Sequence, residues 1–148
     1  MTIDIGRLDM ISGMHKIATH DGIEEWKPNK ELKFLPEFVI PIINGSKHQT
    51  TRTSLNKIRK DDYIWAISKG VKFGILHINS IEIRELGTFD VWDAYREGFH
   101  GEDALDAFKN VWIDIHPRRG FDPSQKVYAF NYMYIGQEVI TYDVPDSI

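Results

Sequence analysis

The stretch from residue 63 to residue 86 constrains the fold more than any other part of the chain. It opens with Tyr-Ile-Trp-Ala-Ile-Ser, a run of β-branched and aromatic residues that favours a strand. Lys69-Gly70-Val71-Lys72 then supplies a turn. From Lys72 to Leu86, bulky apolar residues alternate with small or polar ones, as in a half-buried strand. The stretch therefore predicts a pair of antiparallel strands, of which the second is long.

Two helices are predicted after this pair. Asp90 is a suitable N-cap for the first helix, which Gly98 ends. The second helix follows Gly101, and His116-Pro117 ends it. Its apolar residues recur at helical spacing: Ala104, Leu105, Phe108, Val111 and Trp112.

The remaining predicted elements complete an α+β domain. Strands are expected at Glu31–Leu35, Gln49–Ser54, Lys126–Ile135 and Glu138–Tyr142. A short helix is expected to end at Asn44-Gly45. It either begins near Pro36 and is kinked at Pro41, or starts at Pro41. This order predicts a small, mostly antiparallel sheet that curls into a barrel, with flanking helices. Residues 31–148 form this domain, and residues 1–30 form an irregular or partly stranded extension that packs on it.

Composition excludes several classes of protein. A chain of 148 residues is long enough for one domain with a real core. It has no cysteine, and therefore no disulfide framework and no thiolate metal site. No stretch approaches the roughly 20 apolar residues of a membrane span, so a cytoplasmic location is expected. His15 and His20 are poorly spaced for one helix face, so no metal or other cofactor is expected.

Positive charge is concentrated in one segment of an acidic chain. Residues 45–60 hold five basic residues and no acidic one, although the formal net charge of the chain is −4. The five are Lys47, Arg52, Lys57, Arg59 and Lys60. Such a segment is either a solvated hairpin or an anion site for a phosphate or a nucleotide.

The segment begins with a motif, Gly45-Ser46-Lys47-His48-Gln49-Thr50-Thr51-Arg52. If Gln49–Ser54 is a strand, Thr50, Arg52 and Ser54 share one face, because side chains alternate along a strand. Lys47 lies in the turn just before it. A hydroxyl, an ammonium and a guanidinium group therefore converge on a small surface.

This motif resembles the G-x-K-x-x-T-x-R signature of ASCH domains, which belong to the PUA-like superfamily of small β-barrels. Further segments follow in the family's order. They are Asp61 to Trp65, the strand pair around Phe73 to Arg84, Ala94-Tyr95-Arg96-Glu97-Gly98-Phe99, which is similar to an A-x-x-E-G-F helix end, and Val127 to Phe130, which resembles the closing strand. The resemblance covers roughly residues 31–135. The chain departs from the family pattern at Asp61, where a Gly is usual, and at Pro41, inside the family's first helix.

The resemblance implies more than one activity. Some small bacterial ASCH proteins are amidohydrolases that deacylate N4-acetylcytidine with a Lys, a Thr and a Glu, which correspond here to Lys47, Thr50 and Glu97. Other members are nucleases or RNA-binding modules. The implied partners are a nucleoside, a nucleotide or single-stranded RNA, and the sequence leaves the substrate and the oligomeric state open.

Chemistry sets conditions on the hydrolase reading. The Thr50 hydroxyl is a weak nucleophile unless a base takes its proton, and Lys47 can be that base only when neutral. Burial or the nearby charge of Arg52 would lower the pKa of Lys47 sufficiently. Glu97 can exchange a proton with the leaving amine. Substrate or phosphate contacts are expected from Arg52, His48, Ser46 and Trp65.

Structural roles compete with each of these assignments. Thr50 can be an ordinary strand residue, Lys47 and Glu97 a structural ion pair, and Trp65 part of the core. The sequence thus predicts an enzyme of nucleoside or RNA metabolism, and leaves a non-catalytic module that binds RNA or a modified nucleotide, and a ribonuclease, as alternatives.

Overall fold

The computed structural model of the protein describes residues 12–18, 23–136 and 140–143, and omits the side chains of residues 16–18, 23–25 and 140–143. His20 and the first two residues of the predicted last strand, Glu138 and Val139, lie outside the described residues. Within the described part, no helix is long and apolar enough to cross a membrane.

Eight strands and three α-helices are seen in the described ranges. The strands are β1 (Met14–Ala18), β2 (Ile23–Pro28), β3 (Glu31–Lys33), β4 (Gln49–Arg52), β5 (Tyr63–Ser68), β6 (Val71–Glu85), β7 (Lys126–Gly136) and β8 (Ile140–Asp143). The helices are α1 (Val39–Asn44), α2 (Val91–Arg96) and α3 (Ala104–Ile115), with short 3₁₀ turns at Pro36–Phe38 and Leu86–Thr88.

The main sheet has five strands in the order β3-β5-β6-β7-β4. Only β3 runs parallel to its neighbour, β5, and the other three pairings are antiparallel. Register shifts in β6 opposite β7, between Ile75 and Leu76 and between Ile78 and Ser80, introduce irregularities of the kind that bend a long strand. The sheet curls into a half-barrel, which confirms the predicted α+β class with a small curled, mostly antiparallel sheet.

A second sheet, β1-β2-β8, contains both strands of the N-terminal segment. The buried Asp62 carboxylate joins this segment to the main sheet. It accepts hydrogen bonds from Ser12 Oγ and from Lys30 Nζ, the latter at 2.8 Å. The backbone adds Tyr63 N–H to Ser12 O at 2.9 Å. Asp62 thus binds residues near both ends of the range 12–30.

Two apolar clusters flank the main sheet and a third supports the second sheet. The largest packs one face of β5, β6 and β7 against Leu32, Phe34 and Ile42. A second joins α2 and α3 to Val127 and Ala129 of β7. The third contains Met14, Trp26, Trp65, Ile67 and Ile75.

The short helix accommodates Pro41 in a way that the sequence did not anticipate. Helix α1 begins at Val39, so Pro41 is its third residue. N–H groups in the first turn have no partner inside the helix, so the missing N–H of proline costs little there. Gly45 ends the helix with a φ of 85°.

Strand β4 is shorter than predicted. It ends at Arg52, and the Ser54 hydroxyl accepts the Asn56 N–H at 3.2 Å in a turn that follows. Asn56 and Lys57 have positive φ angles, 52° and 62°, which are incompatible with a continuing strand. Ser54 therefore does not extend the strand face of Thr50 and Arg52.

Candidate functional site

A cavity of about 460 Å³ opens beside β4, between the end of α2 and the side of α3. This volume is within the range of pockets that hold small molecules. Lys47, Thr50, Arg52 and Glu97 all line it. The chain thus brings together four of the seven side chains singled out in the sequence.

Lys47 is buried, with 3% of its surface exposed. Its Nζ donates to the backbone oxygens of Gln49 at 2.9 Å and Glu97 at 2.8 Å, and lies 4.7 Å from the centre of the Phe38 ring. Burial lowers the pKa of Lys47 to about 8; the Glu97 carboxylate opposes this shift, and the charge of Arg52 adds to it. With this pKa, about a tenth of Lys47 is neutral at pH 7.

Glu97 follows the last residue of α2, and its side chain turns back toward β4. One carboxylate oxygen, Oε2, accepts hydrogen bonds from Gln49 Nε2 at 2.9 Å and Thr51 Oγ1 at 2.8 Å. The other, Oε1, lies 3.6 Å from Lys47 Nζ. Glu97 is 4% exposed, so these three groups form most of its polar surroundings.

Two aspartates, Asp90 and Asp93, fix the N-terminal turn of helix α2. Asp90 caps it by accepting the Asp93 N–H at 3.1 Å, and the Asp93 side chain accepts the Asp90 N–H at 3.0 Å. Asp93 also binds Arg84 of β6 through both carboxylate oxygens, at 2.6 and 2.9 Å. Because Glu97 is one turn beyond Asp93, this anchor fixes where its carboxylate meets β4.

Thr50 and Arg52 share one face of β4, as the alternation predicts. Arg52 Nε donates to Thr50 Oγ1 at 3.3 Å, and its Nη2 donates to Lys33 O at 2.7 Å. The guanidinium carbon lies 4.9 Å from the centre of the Phe34 ring. Arg52 therefore orients the Thr50 hydroxyl as an acceptor. Lys47 and Thr50 line the same cavity without a hydrogen bond between them among the described contacts.

Aromatic side chains, called the aromatic wall below, line the cavity beside these polar groups. They are Phe34, Phe38, Phe99, Phe108 and Trp112. Phe38 and Phe99 meet edge to face with ring centres 5.7 Å apart. On α3, Trp112 stacks on His116 at 4.2 Å, and His116 Nδ1 lies 3.0 Å from Trp112 O. The cavity thus combines polar groups from β4 and the end of α2 with aromatic rings from several elements, of which Phe108 and Trp112 belong to α3.

His48, Ser46 and Trp65 do not line this cavity. His48 is exposed, and its backbone N–H donates to Arg96 O at 2.9 Å. The Ser46 hydroxyl donates to Pro41 O at 3.4 Å, at the end of α1. Trp65 belongs to the apolar cluster under the second sheet. The structure therefore separates these three side chains from Lys47, Thr50, Arg52 and Glu97.

The basic segment divides into two parts. Lys47 and Arg52 point into the cavity, where they face Glu97. Lys57, Arg59 and Lys60 are exposed in the turn between β4 and β5. No group of three or more His, Asp or Glu side chains in the described ranges has the arrangement of a metal site.

Sequence reasoning missed several residues of the site. Gln49 and Thr51 alternate with Thr50 on β4, and the period of two already places them on the other face. Phe108 and Trp112 are predicted only as members of the apolar face of the second helix, because periodicity does not distinguish a residue facing a core from one facing a cavity. Tyr132 also supports the site: it is buried and donates to Lys47 O at 3.1 Å.

Comparisons with known proteins agree on the fold. No protein-family model matches the chain, and no curated protein is significantly similar to it. Among solved structures, an ASCH domain from Lactobacillus crispatus matches with a TM-score of 0.58 at 12% identity, over 67% of this chain and 70% of that one. A protein from Enterococcus faecalis assigned to family DUF984 matches with a TM-score of 0.53 at 14% identity, over 68% of each chain.

A variant of an ASCH protein from Zymomonas mobilis is 22% identical over 72% of this chain and 68% of that one, with a TM-score of 0.49. At these identities the likeness concerns the fold alone. The curled five-stranded sheet with its few flanking helices is the fold of ASCH domains.

Proposed function

We propose that the protein hydrolyses an N-acyl amide on a modified nucleobase, such as that of N4-acetylcytidine. One observation supports this most strongly: a buried lysine with a pKa of about 8 lines the same cavity as a threonine hydroxyl and a carboxylate. Groups with strongly shifted pKa values are concentrated at functional sites, and this one lies beside a potential nucleophile in an open cavity.

In this proposal Thr50 is the nucleophile and Lys47 the base. The neutral amine takes the hydroxyl proton, directly or through one water, as Thr50 Oγ1 bonds to the acyl carbon. Glu97 passes that proton from Lys47 to the leaving amine nitrogen, and the carbon–nitrogen bond breaks. Water then hydrolyses the acyl-threonine ester and restores the hydroxyl, so the products are a carboxylic acid and the free nucleobase amine.

Arg52 supplies the positive charge for the developing oxyanion. Its Nε and Nη2 are engaged with Thr50 and Lys33, whereas Nη1 has no partner among the described residues. A donor beside the nucleophile is well situated for the carbonyl oxygen as it gains charge. The aromatic wall offers surfaces on which a nucleobase can stack.

A second candidate is a non-catalytic module that binds a modified nucleotide in the same cavity. The hydrogen bonds of Lys47 to two backbone oxygens favour it, because they are also what a purely structural ammonium would make. In that case the Lys47–Glu97 pair maintains the shape of the cavity.

Turnover of N4-acetylcytidine separates the two candidates. We expect Thr50→Ala and Lys47→Ala each to lower kcat/KM by about 100-fold or more while the thermal melt stays cooperative. The exposed Lys72→Ala is the matched control for Lys47→Ala and should retain the wild-type rate.

Three results would contradict the hydrolase. The first is wild-type protein that binds cytidine derivatives and turns none over. The second is tight, steeply salt-dependent binding of single-stranded RNA without hydrolysis. The third is RNA cleavage that survives Thr50→Ala, which would instead favour a ribonuclease.

A further inference from the structure

The Glu97 carboxylate is held on one side by two uncharged donors. Gln49 Nε2 and Thr51 Oγ1 both bind Oε2, at 2.9 and 2.8 Å. Lys47 Nζ is left with Oε1 at 3.6 Å. A hydrogen bond between an ammonium and a carboxylate is normally about 2.7–2.9 Å long. The buried ion pair is therefore longer than a direct bond, while two neutral bonds to the same carboxylate are short.

We propose that Gln49 and Thr51 are positioning residues that draw the Glu97 carboxylate away from Lys47, so that the lysine can give up its proton inside the cavity. The proposal deepens the function proposed above, and rests on it only for the catalytic consequence.

The physical reason is competition for the carboxylate. A carboxylate favours the charged form of a nearby lysine more strongly as the two approach, and burial enlarges the effect. If Glu97 closed on Lys47, the ammonium form would be stabilised and the amine would no longer act as a base at neutral pH. Two neutral donors stabilise the carboxylate without adding a positive charge, and so hold it in place at a distance.

The anchors of this arrangement are rigid. Gln49 and Thr51 are buried on β4, which is paired with β7 from Gln49 to Arg52. Gln49 Nε2 also lies 3.5 Å from Asp93 Oδ1, and Asp93 is in turn fixed by Arg84. The two donors therefore belong to the sheet, and the acceptor follows the end of α2. The contact between sheet and helix determines the distance from the Glu97 carboxylate to Lys47 Nζ.

The other charged and titratable groups around Lys47 remain in the protein when the Thr51 hydroxyl is removed. They are Arg52 on β4, Asp93 on α2 and Tyr132 on β7, with Lys33 and His116 elsewhere on the cavity wall. Removal of the Thr51 hydroxyl leaves all of these charges in place. A change in Lys47 protonation would then report on the Glu97 carboxylate.

A direct titration of Lys47 tests the proposal without any substrate. Protein labelled with ¹³C at the lysine ε-carbon is titrated by NMR, and Lys47→Arg identifies the Lys47 signal. We expect Thr51→Val, which keeps the shape and removes the donor, to raise the Lys47 pKa by about one unit, a tenfold change in proton affinity. Thr51→Ser, which keeps the hydroxyl donor, is the matched control and should show the wild-type value.

An unchanged or lower Lys47 pKa in folded Thr51→Val would overturn the proposal. If that variant does not fold, Gln49→Met removes the other donor at similar size and must give the same rise. If the pKa rises as expected and the wild-type protein has no hydrolytic activity, the positioning role stands and the proposed function fails. With activity present, the pH dependence of kcat/KM must move upward with the Lys47 pKa.

Discussion

Lys47 Nζ contacts both the backbone and the side chain of Glu97. It donates a hydrogen bond to the backbone oxygen at 2.8 Å and lies 3.6 Å from the carboxylate oxygen Oε1. The backbone oxygen belongs to the end of α2, where carbonyl groups lack partners within the helix. A cation is favourable at such a terminus. The position of the amine is therefore tied to the end of α2, so a change in that turn should reach the lysine directly.

The pH dependence of hydrolysis should follow Lys47. Burial lowers its pKa to about 8, so the neutral fraction of Lys47 rises with pH, reaches one half near that value and approaches completeness above it. We expect kcat/KM to increase about tenfold per pH unit below the pKa and to level off above it. A rate profile for N4-acetylcytidine between about pH 6 and 10 measures this. A flat profile would exclude Lys47 as the base, and Lys47→Arg should be inactive throughout because arginine stays protonated.

Gly98 is required by the close approach of Lys47. Its φ is 101°, and a Cβ there would lie 2.9 Å from Lys47 Cβ. Gly98→Ala should therefore displace Lys47 from the end of α2, lower kcat/KM by at least about tenfold and destabilise the protein by about 1–3 kcal/mol. Enzyme assays and urea denaturation measure the two effects.

Gly101→Ala is the matched control for Gly98→Ala. Gly101 has a similar φ of 87°, and nothing lies within 4 Å of a Cβ built on it. The Gly101→Ala variant should therefore lose stability through backbone strain and keep the wild-type kcat/KM. Equal losses of activity in both variants would mean that strain in this loop, and not the contact with Lys47, is responsible.

How far the sequence predicts the molecule depends on the range of the interaction. Alternation and capping are local, so β5 is confirmed from Tyr63 to Ser68 and the N-cap of α2 at Asp90. The Lys47–Glu97 contact joins residues 50 apart and could be inferred only from the motif. Trp65 was expected at the cavity but packs under the second sheet. How that sheet covers β5 has no periodic signal in the sequence, so this position could not be predicted.

Asp62 should stabilise the attachment of the N-terminal segment in a pH-dependent way. Burial alone would raise its pKa, but hydrogen bonds from Lys30, Ser12 and the Arg59 N–H outweigh this and lower it below 3.8. Its contribution is therefore complete above the unfolded-state pKa and is lost as the pH falls through the lower folded-state value. At neutral pH, Asp62→Asn should reduce the free energy of unfolding by about 1–3 kcal/mol.

Urea denaturation of wild type and Asp62→Asn at several pH values checks this. The difference in unfolding free energy should narrow as the pH falls from about 5 to 2. The neighbouring Asp61→Asn is the control, because Asp61 is exposed and asparagine tolerates its φ of 71°. A difference that stays constant with pH would show that the Asp62 charge does not hold the segment.

Arg52 should act through geometry as well as charge. Its Nε and Nη2 bind Thr50 and Lys33 at the same time, and the single ammonium of a lysine cannot reproduce this fork. Arg52→Lys should therefore lower kcat/KM about 10- to 100-fold while the Lys47 pKa, to which the Arg52 charge contributes, changes little. Arg52→Gln removes the charge too and should also raise the Lys47 pKa. Arg59→Lys, in the exposed turn, is the control and should keep wild-type kinetics. Wild-type kinetics in Arg52→Lys would show that a positive charge at this position is sufficient for hydrolysis.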